Sequence, residues 1–167
     1  ISENTNIINK LKSNWVLWAH LPHENNWKLA SYKKICTFTS IQDTMAISEL
    51  IPDELVKNCM LFIMKEGIAP MWEDTRNRTG GCFSYKVSNK NVVSVWRDLT
   101  YLLVGNTISS DNMFVNNVCG ITISPKKNFC IVKIWTSKCT HQSPLIITDV
   151  RNLTPHGCLF KKHIPEY

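Results

Sequence analysis

Residues 92–104 carry apolar side chains at the spacing of an amphipathic α-helix, and this constrains the fold more than any other feature of the sequence. The apolar stripe consists of Val92, Val95, Trp96, Leu99, Leu102 and Leu103. Gly105 follows, at a position where helices commonly end. A helix with a single apolar face lies against an apolar layer supplied by other parts of the chain.

Most of the other apolar segments are short and bounded by turn residues, which is typical of β-strands. A second helix is predicted from Ser40 to about Ile51, because Ser40–Asp43 resembles a capping box. A short third helix is predicted to begin at Ser143-Pro144. Strands are predicted at residues 11–19, 33–38, 58–65, 82–87, 118–123, 129–135 and 157–163. The sequence therefore predicts an α+β fold, an antiparallel sheet with helices on one face.

The composition indicates one globular unit with an excess of basic residues. The 167 residues are 44% hydrophobic and 19% charged, and the net charge is +6. This charge favours an anionic partner without requiring one. We predict a single domain at residues 10–167 and a flexible N-terminal segment at residues 1–9.

Several functional classes have no support in the sequence. It has no apolar run of membrane-spanning length, no signal peptide and no glycine-rich phosphate loop. Its seven cysteines are odd in number and lack C-x-x-C spacing, which predicts reduced thiols in the cytoplasm. His20 and His23 have no thiol neighbours, so we expect neither a metal site nor a cofactor. A monomer without membrane contact is predicted.

Two tryptophans occupy polar, turn-like segments. Trp27 lies in Glu24–Lys28, and Trp72 precedes Glu73 in a polar stretch. Exposed indoles in loops often stack on a ligand, and a carboxylate accepts hydrogen bonds, so the three side chains could clamp a flat cation bearing donors. The alternative for Trp72 is a loop anchor packed on the core, and for Trp27 an incidental surface aromatic.

Four collinear motifs give the chain a family resemblance. They are Gly67–Asp74 followed by Asn77 and Gly80-Gly81; Asn14–Trp18 followed by Trp27; Val95-Trp96 followed by Leu102–Gly105; and Val118–Gly120 followed by Ile134–Thr136. Over residues 11–140 the sequence resembles the eukaryotic translation initiation factor 4E family, which binds the cap of messenger RNA. The resemblance implies a strongly curved antiparallel sheet, shaped like a cupped hand, with three helices on its convex face.

The resemblance also implies a binding site for 7-methylguanine. Trp27 and Trp72 would stack on the two faces of the base, and Glu73 would accept hydrogen bonds from guanine N1–H and N2–H. Trp135 would contact the methyl group, although its apolar strand is equally compatible with a purely structural role. By the same resemblance, Trp15, Trp18 and Trp96 are structural.

The phosphate contacts implied by the resemblance are altered in this sequence. Lys126 takes the place of the family's arginine, and Lys127 lies beside it. Lys133 shares a strand face with Trp135 because side chains alternate along a strand, so Lys133 is a third candidate. Lys126 and Lys127 could instead be the solvated tip of a hairpin.

The partner-binding face departs further from the family pattern. The expected surface includes Ile41, Met45, Arg97 and Tyr101, in which Met45 replaces a tryptophan and Arg97 and Tyr101 replace leucines. Either the protein binds a co-adapted scaffold to promote translation initiation, or it binds no scaffold and acts as a repressor or cap competitor. These departures suggest a divergent paralogue or a virus-encoded copy.

A nucleotide- or cap-hydrolysing enzyme is the competing class. It would need clustered carboxylates for a metal, and only Glu73-Asp74 and the scattered Asp43, Asp53 and Glu54 are available. We therefore expect a protein that binds capped messenger RNA and is not an enzyme.

Overall fold

The computed structural model describes residues 7–164. Its centre is an open seven-stranded sheet with the order β2-β1-β3-β5-β6-β4-β7, in which each neighbouring pair is antiparallel. The strands are β1 (Lys10–His20), β2 (Tyr32–Ser40), β3 (Met60–Lys65), β4 (Gly81–Ser88), β5 (Val118–Pro125), β6 (Phe129–Thr136) and β7 (Leu159–Lys162). Shifts of register occur twice between β1 and β2 and once between β5 and β6. Such irregularities bend and twist a sheet.

Four α-helices accompany the sheet: α1 (Ile41–Leu50), α2 (Asp53–Asn58), α3 (Val92–Val104) and α4 (Asn112–Asn117). All four contribute apolar side chains to one core cluster, including Ile47, Val56, Leu99 and Phe114. They therefore lie on the same face of the sheet, which we call the helix face. The predicted fold class is confirmed.

Successive side chains of a strand point to opposite faces of the sheet, so each strand contributes to two apolar layers. In β3, Leu61 and Ile63 belong to the core under the helices, whereas Phe62 and Met64 belong to a second cluster on the opposite face. In β6, Ile134 lies on the helix side and Trp135 on the opposite side. We call the side without helices the open face. The alternation supplies this face with large apolar and aromatic side chains.

The predicted capping of α1 is confirmed. Ser40 Oγ accepts a hydrogen bond from Asp43 N at 3.1 Å, and Asp43 Oδ2 accepts bonds from the backbone and hydroxyl of Thr39, each at 2.9 Å. These donors lower the pKa of Asp43, with the Thr39 backbone N–H as the largest cause. The carboxylate is therefore stabilised in its charged form at the first turn.

The prediction of three helices was wrong in number and in one location. The third helix, predicted at Ser143-Pro144, is a single 3-10 turn at Pro144–Ile146. The sequence reading missed α2 and α4, which have six residues each and bury only Val56 and Phe114. So short a helix shows no repeated apolar spacing.

Every predicted strand differs from the observed one by one or two residues at one end or both. β3 starts at Met60 because α2 continues to Asn58, and β7 starts at Leu159 after a 3-10 turn at Pro155–Gly157. Of the predicted flexible N-terminal segment, residues 1–6 lie outside the described residues, as do residues 165–167 of the predicted domain. Within residues 7–164, no helix has the length and apolar character needed to cross a membrane.

Replacing Leu99 with alanine should destabilise the fold strongly. Leu99 is fully buried where α3 meets the sheet, so the substitution removes apolar contacts and leaves a cavity. We expect the free energy of unfolding to fall by about 2–5 kcal/mol, measured by chemical denaturation. Leu145→Ala is the matched control, because Leu145 is 80% exposed. Equal losses in the two variants would contradict the assignment of Leu99 to the core.

Candidate functional site

A cleft with a volume of about 370 Å³ opens on the open face of the sheet. Trp27, from the β1–β2 loop, and Trp72 and Glu73, from the β3–β4 loop, contribute to its walls. The other lining residues are Tyr32, Met60, Phe62, Pro70, Met71, Thr122, Lys133 and Trp135. The structure thus brings together five residues that the sequence predicted for one site: Trp27, Trp72, Glu73, Lys133 and Trp135.

A histidine supports Trp27 from beneath the β1–β2 loop. The rings of Trp27 and His20 are stacked, with centroids 3.9 Å apart and planes within 1° of parallel. His20 is buried, and its Nε2 lies 2.8 Å from the Asn26 carbonyl oxygen, to which it donates a hydrogen bond. Trp27 itself is 55% exposed. The ring is therefore held in position while much of its surface stays accessible.

Asn77 and Asp74 organise the loop that carries Trp72. The Asn77 side chain is buried, and its Nδ2 donates to the carbonyl oxygens of Ala69 at 2.9 Å and Met71 at 2.8 Å. Asp74 Oδ2 accepts from Ala69 N at 2.9 Å. These bonds fix the backbone on both sides of Pro70, and so determine where Trp72 and Glu73 leave the chain.

A second histidine lies beneath Trp72, and the sequence reading gave it no role. The rings of His163 and Trp72 are stacked with centroids 5.3 Å apart and an interplanar angle of 16°. Pairing of β7 with β4 places His163 there, and its backbone N donates to Gly80 O at 2.9 Å. His163 Nδ1 donates to Asn77 O at 2.7 Å. The same histidine therefore contacts both the tryptophan and the residue that organises its loop.

Further aromatic rings connect the two stacking tryptophans across the floor of the cleft. Tyr32 lies edge-on to Trp27 at 6.4 Å and to Phe62 at 5.4 Å. Phe62 lies edge-on to Trp135 at 6.4 Å, and Trp135 is tilted against His163 at 4.9 Å. Edge-to-face contacts at these distances are favourable. The floor is thus a continuous row of packed rings.

Trp135 is both a core residue and a lining residue of the cleft. Only 4% of it is exposed, and its Nε1 donates to Thr122 Oγ1 at 3.3 Å. Trp135 can therefore be part of the core, as the structural alternative holds, and still present an edge to a ligand in the cleft. Trp15 and Trp96 lie in the core under the helices, and Trp18 packs against the open-face cluster.

The charge of Glu73 acts on a neighbouring tyrosine. Burial, and then the negative charge of Glu73, raise the pKa of Tyr32 to about 12. The Tyr32 hydroxyl therefore stays protonated even at a pH where a free tyrosine ionises. The cleft combines one carboxylate, one ammonium group from Lys133 and a wall of aromatic rings.

The three candidate phosphate-binding lysines occupy different positions. Lys133 lines the cleft, and Lys126 lines a neighbouring cleft. Lys127 is exposed at the tip of the β5–β6 hairpin and lines neither, which matches its alternative as a solvated residue. Cys82, at the start of β4, is buried in the open-face cluster.

The predicted partner face lies on α1 and α3, on the other side of the sheet. Ile41, Met45, Arg97 and Tyr101 are all exposed. Arg97 and Tyr101 line one shallow depression with Ser48, Glu49, Ile51 and Asp53. Ile41 and Met45 do not line it. The structure brings together only two of the four predicted residues in this depression.

Comparison with known proteins gives the family. The family described as Eukaryotic initiation factor 4E matches residues 10–154. A translation initiation factor 4E homolog of Acanthamoeba polyphaga mimivirus is 29% identical over 141 residues, covering 72% of this chain and 51% of that protein. The factor of Candida albicans is 31% identical over 147 residues, covering 82% of this chain and 68% of that protein. This chain belongs to the eukaryotic initiation factor 4E family, as the sequence resemblance predicted.

Solved structures share the fold. A complex of C. elegans eIF4E-3 with the 4E-binding protein Mextli and a cap analog has a TM-score of 0.71 at 24% identity, covering 80% of this chain and 77% of that chain. Schistosome eIF4E complexed with m7GpppG and 4E-BP has a TM-score of 0.73 at 21% identity, covering 81% of this chain and 75% of that chain. The chain spans about half of the mimivirus relative and about two thirds of the Candida relative.

Burial of His163 should make the stability of the protein depend on pH. Burial is the main cause that lowers its pKa, and nearby Lys133 lowers it further against the opposing effect of the Asn77 hydrogen bond. The unfolded chain therefore takes up a proton at a pH where the folded protein does not. We expect the free energy of unfolding to be highest above about pH 6.5 and to fall as the pH drops below it.

The measurement is chemical denaturation across this pH range for the wild type, His163→Phe and His156→Phe. His163→Phe keeps a ring beneath Trp72 and removes the titrating group, so its stability should depend less on pH. His156, exposed in a different loop, is the control. An unchanged pH slope in His163→Phe would contradict the prediction.

Proposed function

We propose that this protein binds the 7-methylguanosine cap of messenger RNA without catalysing a reaction on it. The observation that carries the proposal is the cleft of about 370 Å³ whose walls include Trp27, Trp72 and Glu73. Membership of the initiation factor 4E family supports it, as does the m7GpppG named with the schistosome protein. Within residues 7–164, no three potential metal ligands cluster as a hydrolytic metal centre would require.

The selectivity for the methylated base follows from its charge. Methylation at N7 makes the purine a delocalised cation, and the faces of Trp27 and Trp72 are electron-rich. Stacking a base on one aromatic ring contributes roughly 1–3 kcal/mol. Cation–π attraction adds about 0.5–2 kcal/mol, and only the methylated base gains it.

Glu73 provides the selectivity for guanine. An ionised carboxylate offers two acceptors, which match the adjacent N1–H and N2–H donors of guanine. Adenine lacks this pair of donors on the same edge. Trp135, at the floor of the cleft, contacts the methyl group in this arrangement. In this arrangement Lys133, which lines the same cleft, meets the first phosphates of the cap, and Lys126, which lines the neighbouring cleft, meets the later ones.

The deciding measurement is the affinity for 7-methyl-GTP and for GTP, by isothermal titration. We expect 7-methyl-GTP to bind at least about tenfold more tightly, because that ratio corresponds to roughly 1.4 kcal/mol of cation–π attraction. Trp27→Ala and Trp72→Ala should each weaken 7-methyl-GTP binding by about tenfold. Tyr101→Ala removes an exposed aromatic ring from the helix face and is the matched control. Equal affinity of the wild type for the two nucleotides would overturn the proposal.

On the helix face, the proposed role is recruitment of a co-adapted scaffold that promotes translation initiation. The complexes of related proteins with Mextli and with 4E-BP support a protein partner for this chain. Exposed arginine, tyrosine and methionine side chains suit such an interface, and Arg97 and Tyr101 share one depression. The second candidate is a repressor or cap competitor. Arg97 favours it, because a partner with an apolar surface would have to remove water from the exposed guanidinium, which is costly.

The family resemblance implies a partner that docks as a short helix bearing a tyrosine and a leucine-hydrophobic pair. We expect such a peptide to bind poorly to the wild type. The double variant Arg97→Leu/Met45→Trp removes the unpaired charge and adds an apolar ring, so we expect about tenfold tighter peptide binding by fluorescence anisotropy. Arg78→Leu makes a similar change at an exposed position of the β3–β4 loop and is the control. Equally tight binding by the wild type and the double variant would contradict the prediction.

Addition of the protein to a cell-free translation reaction separates the initiator from the competitor. An initiator stimulates synthesis from a capped reporter in a reaction that has been depleted of its own cap-binding factor. The competitor inhibits synthesis from an undepleted reaction, and its effect is reversed by excess capped RNA.

A further inference from the structure

A second cleft, with a volume of about 490 Å³, lies beside the first. One wall is the β1–β2 loop at residues 20–24, and the other is the β5–β6 hairpin at residues 124–126. Asn58, at the end of α2, also lines it. Its volume is in the range of clefts that hold small-molecule ligands, roughly 300–1,000 Å³.

The two clefts share part of their lining. Trp27, Met60 and Lys133 line both of them. A polyphosphate attached to a base in the first cleft can therefore pass Lys133 and enter the second cleft without leaving the protein surface. Lys126 lies in the second cleft, so successive phosphates meet two ammonium groups.

The remaining groups in the second cleft suit an uncharged nucleoside better than an additional anionic group. Glu24 is the acidic residue in its lining, and its Oε1 already accepts a hydrogen bond from Asn26 N at 2.8 Å. Ser124 offers a hydroxyl to a sugar, and His23 offers an aromatic ring to a base. The bond to Asn26 N holds the Glu24 carboxylate against its own loop through Oε1.

His23 has a backbone conformation that is uncommon for residues other than glycine. Its φ is 71°, in the left-handed region, and it sits in the turn closed by the Glu24 N to Leu21 O hydrogen bond at 3.2 Å. Such conformations carry an energetic cost and concentrate at ligand-binding segments. The turn holds the imidazole in the wall of the second cleft.

We propose that the second cleft binds the first transcribed nucleotide of capped RNA, with its base stacked on His23 and its phosphate bridge held by Lys133 and Lys126. This inference rests on the proposed function, because the first cleft must hold the cap for the second to receive the next nucleotide. The site accepts any base, since stacking is tolerant of sequence.

The test compares two ligands with the same number of phosphates, 7-methyl-GTP and the dinucleotide m7GpppA, on the wild type and on His23→Asn. Asparagine tolerates the left-handed backbone and has no ring to stack on a base. We expect His23→Asn to weaken m7GpppA binding by about fivefold and to leave 7-methyl-GTP binding within about twofold of the wild type. His156→Asn, an exposed histidine that lines neither cleft, should change neither affinity.

The outcomes distinguish this inference from the proposed function. Equal changes for both ligands in His23→Asn, or no change for either, would overturn the nucleotide site while cap binding stands. Failure of the wild type to prefer 7-methyl-GTP over GTP would overturn cap binding itself.

A direct measurement does not depend on the substitution. m7GpppA carrying 8-azidoadenosine as its second nucleoside is cross-linked to the wild type by light, and the modified peptide is identified by mass spectrometry. Modification within residues 20–24 or 124–126 supports the second cleft. Modification confined to any other segment refutes it.

Discussion

The alternation of side chains across a single antiparallel sheet underlies the whole arrangement of this protein. One set of strand residues packs under four helices, and the other set forms an aromatic layer on the open face. Because the period is two residues, a strand such as β3 contributes Ile63 to the fold's main core and Phe62 to the floor of the cleft. Stability and site geometry are thus built by the same strands.

The loops above this floor are organised by polar groups that bind backbone atoms. The Asn77 side chain donates hydrogen bonds to the backbone just before Trp72. His20 stacks on Trp27 and donates a hydrogen bond to the carbonyl oxygen of Asn26 in the β1–β2 loop. His163, directly after β7, donates a hydrogen bond to Asn77 O in the loop that carries Trp72. Each tryptophan therefore has a histidine ring against it, although the two histidines come from opposite ends of the chain. A ligand between the indoles would contact rings whose planes are set by these supports.

Local pattern was sufficient for much of the fold. The amphipathic stripe at residues 92–104 has the bounds of α3, and the predicted strands overlap all seven observed ones. The short helices α2 and α4 escaped prediction because six residues are too few to show periodicity. The family motifs supplied Trp27, Trp72 and Glu73, which the structure brings to one cleft. No local signal marked His163, since its role depends on the long-range pairing of β7 with β4.

The stacked histidines have a consequence for the rate of ligand capture. An indole that swings freely must lose rotamer freedom when a ligand arrives, which weakens association. Here Trp27 and Trp72 already lie against His20 and His163, so this ordering is completed when the chain folds. A ligand that binds between the two indoles would therefore dock onto side chains that are already ordered. Substitutions in the cleft would then alter residence time more than the speed of arrival.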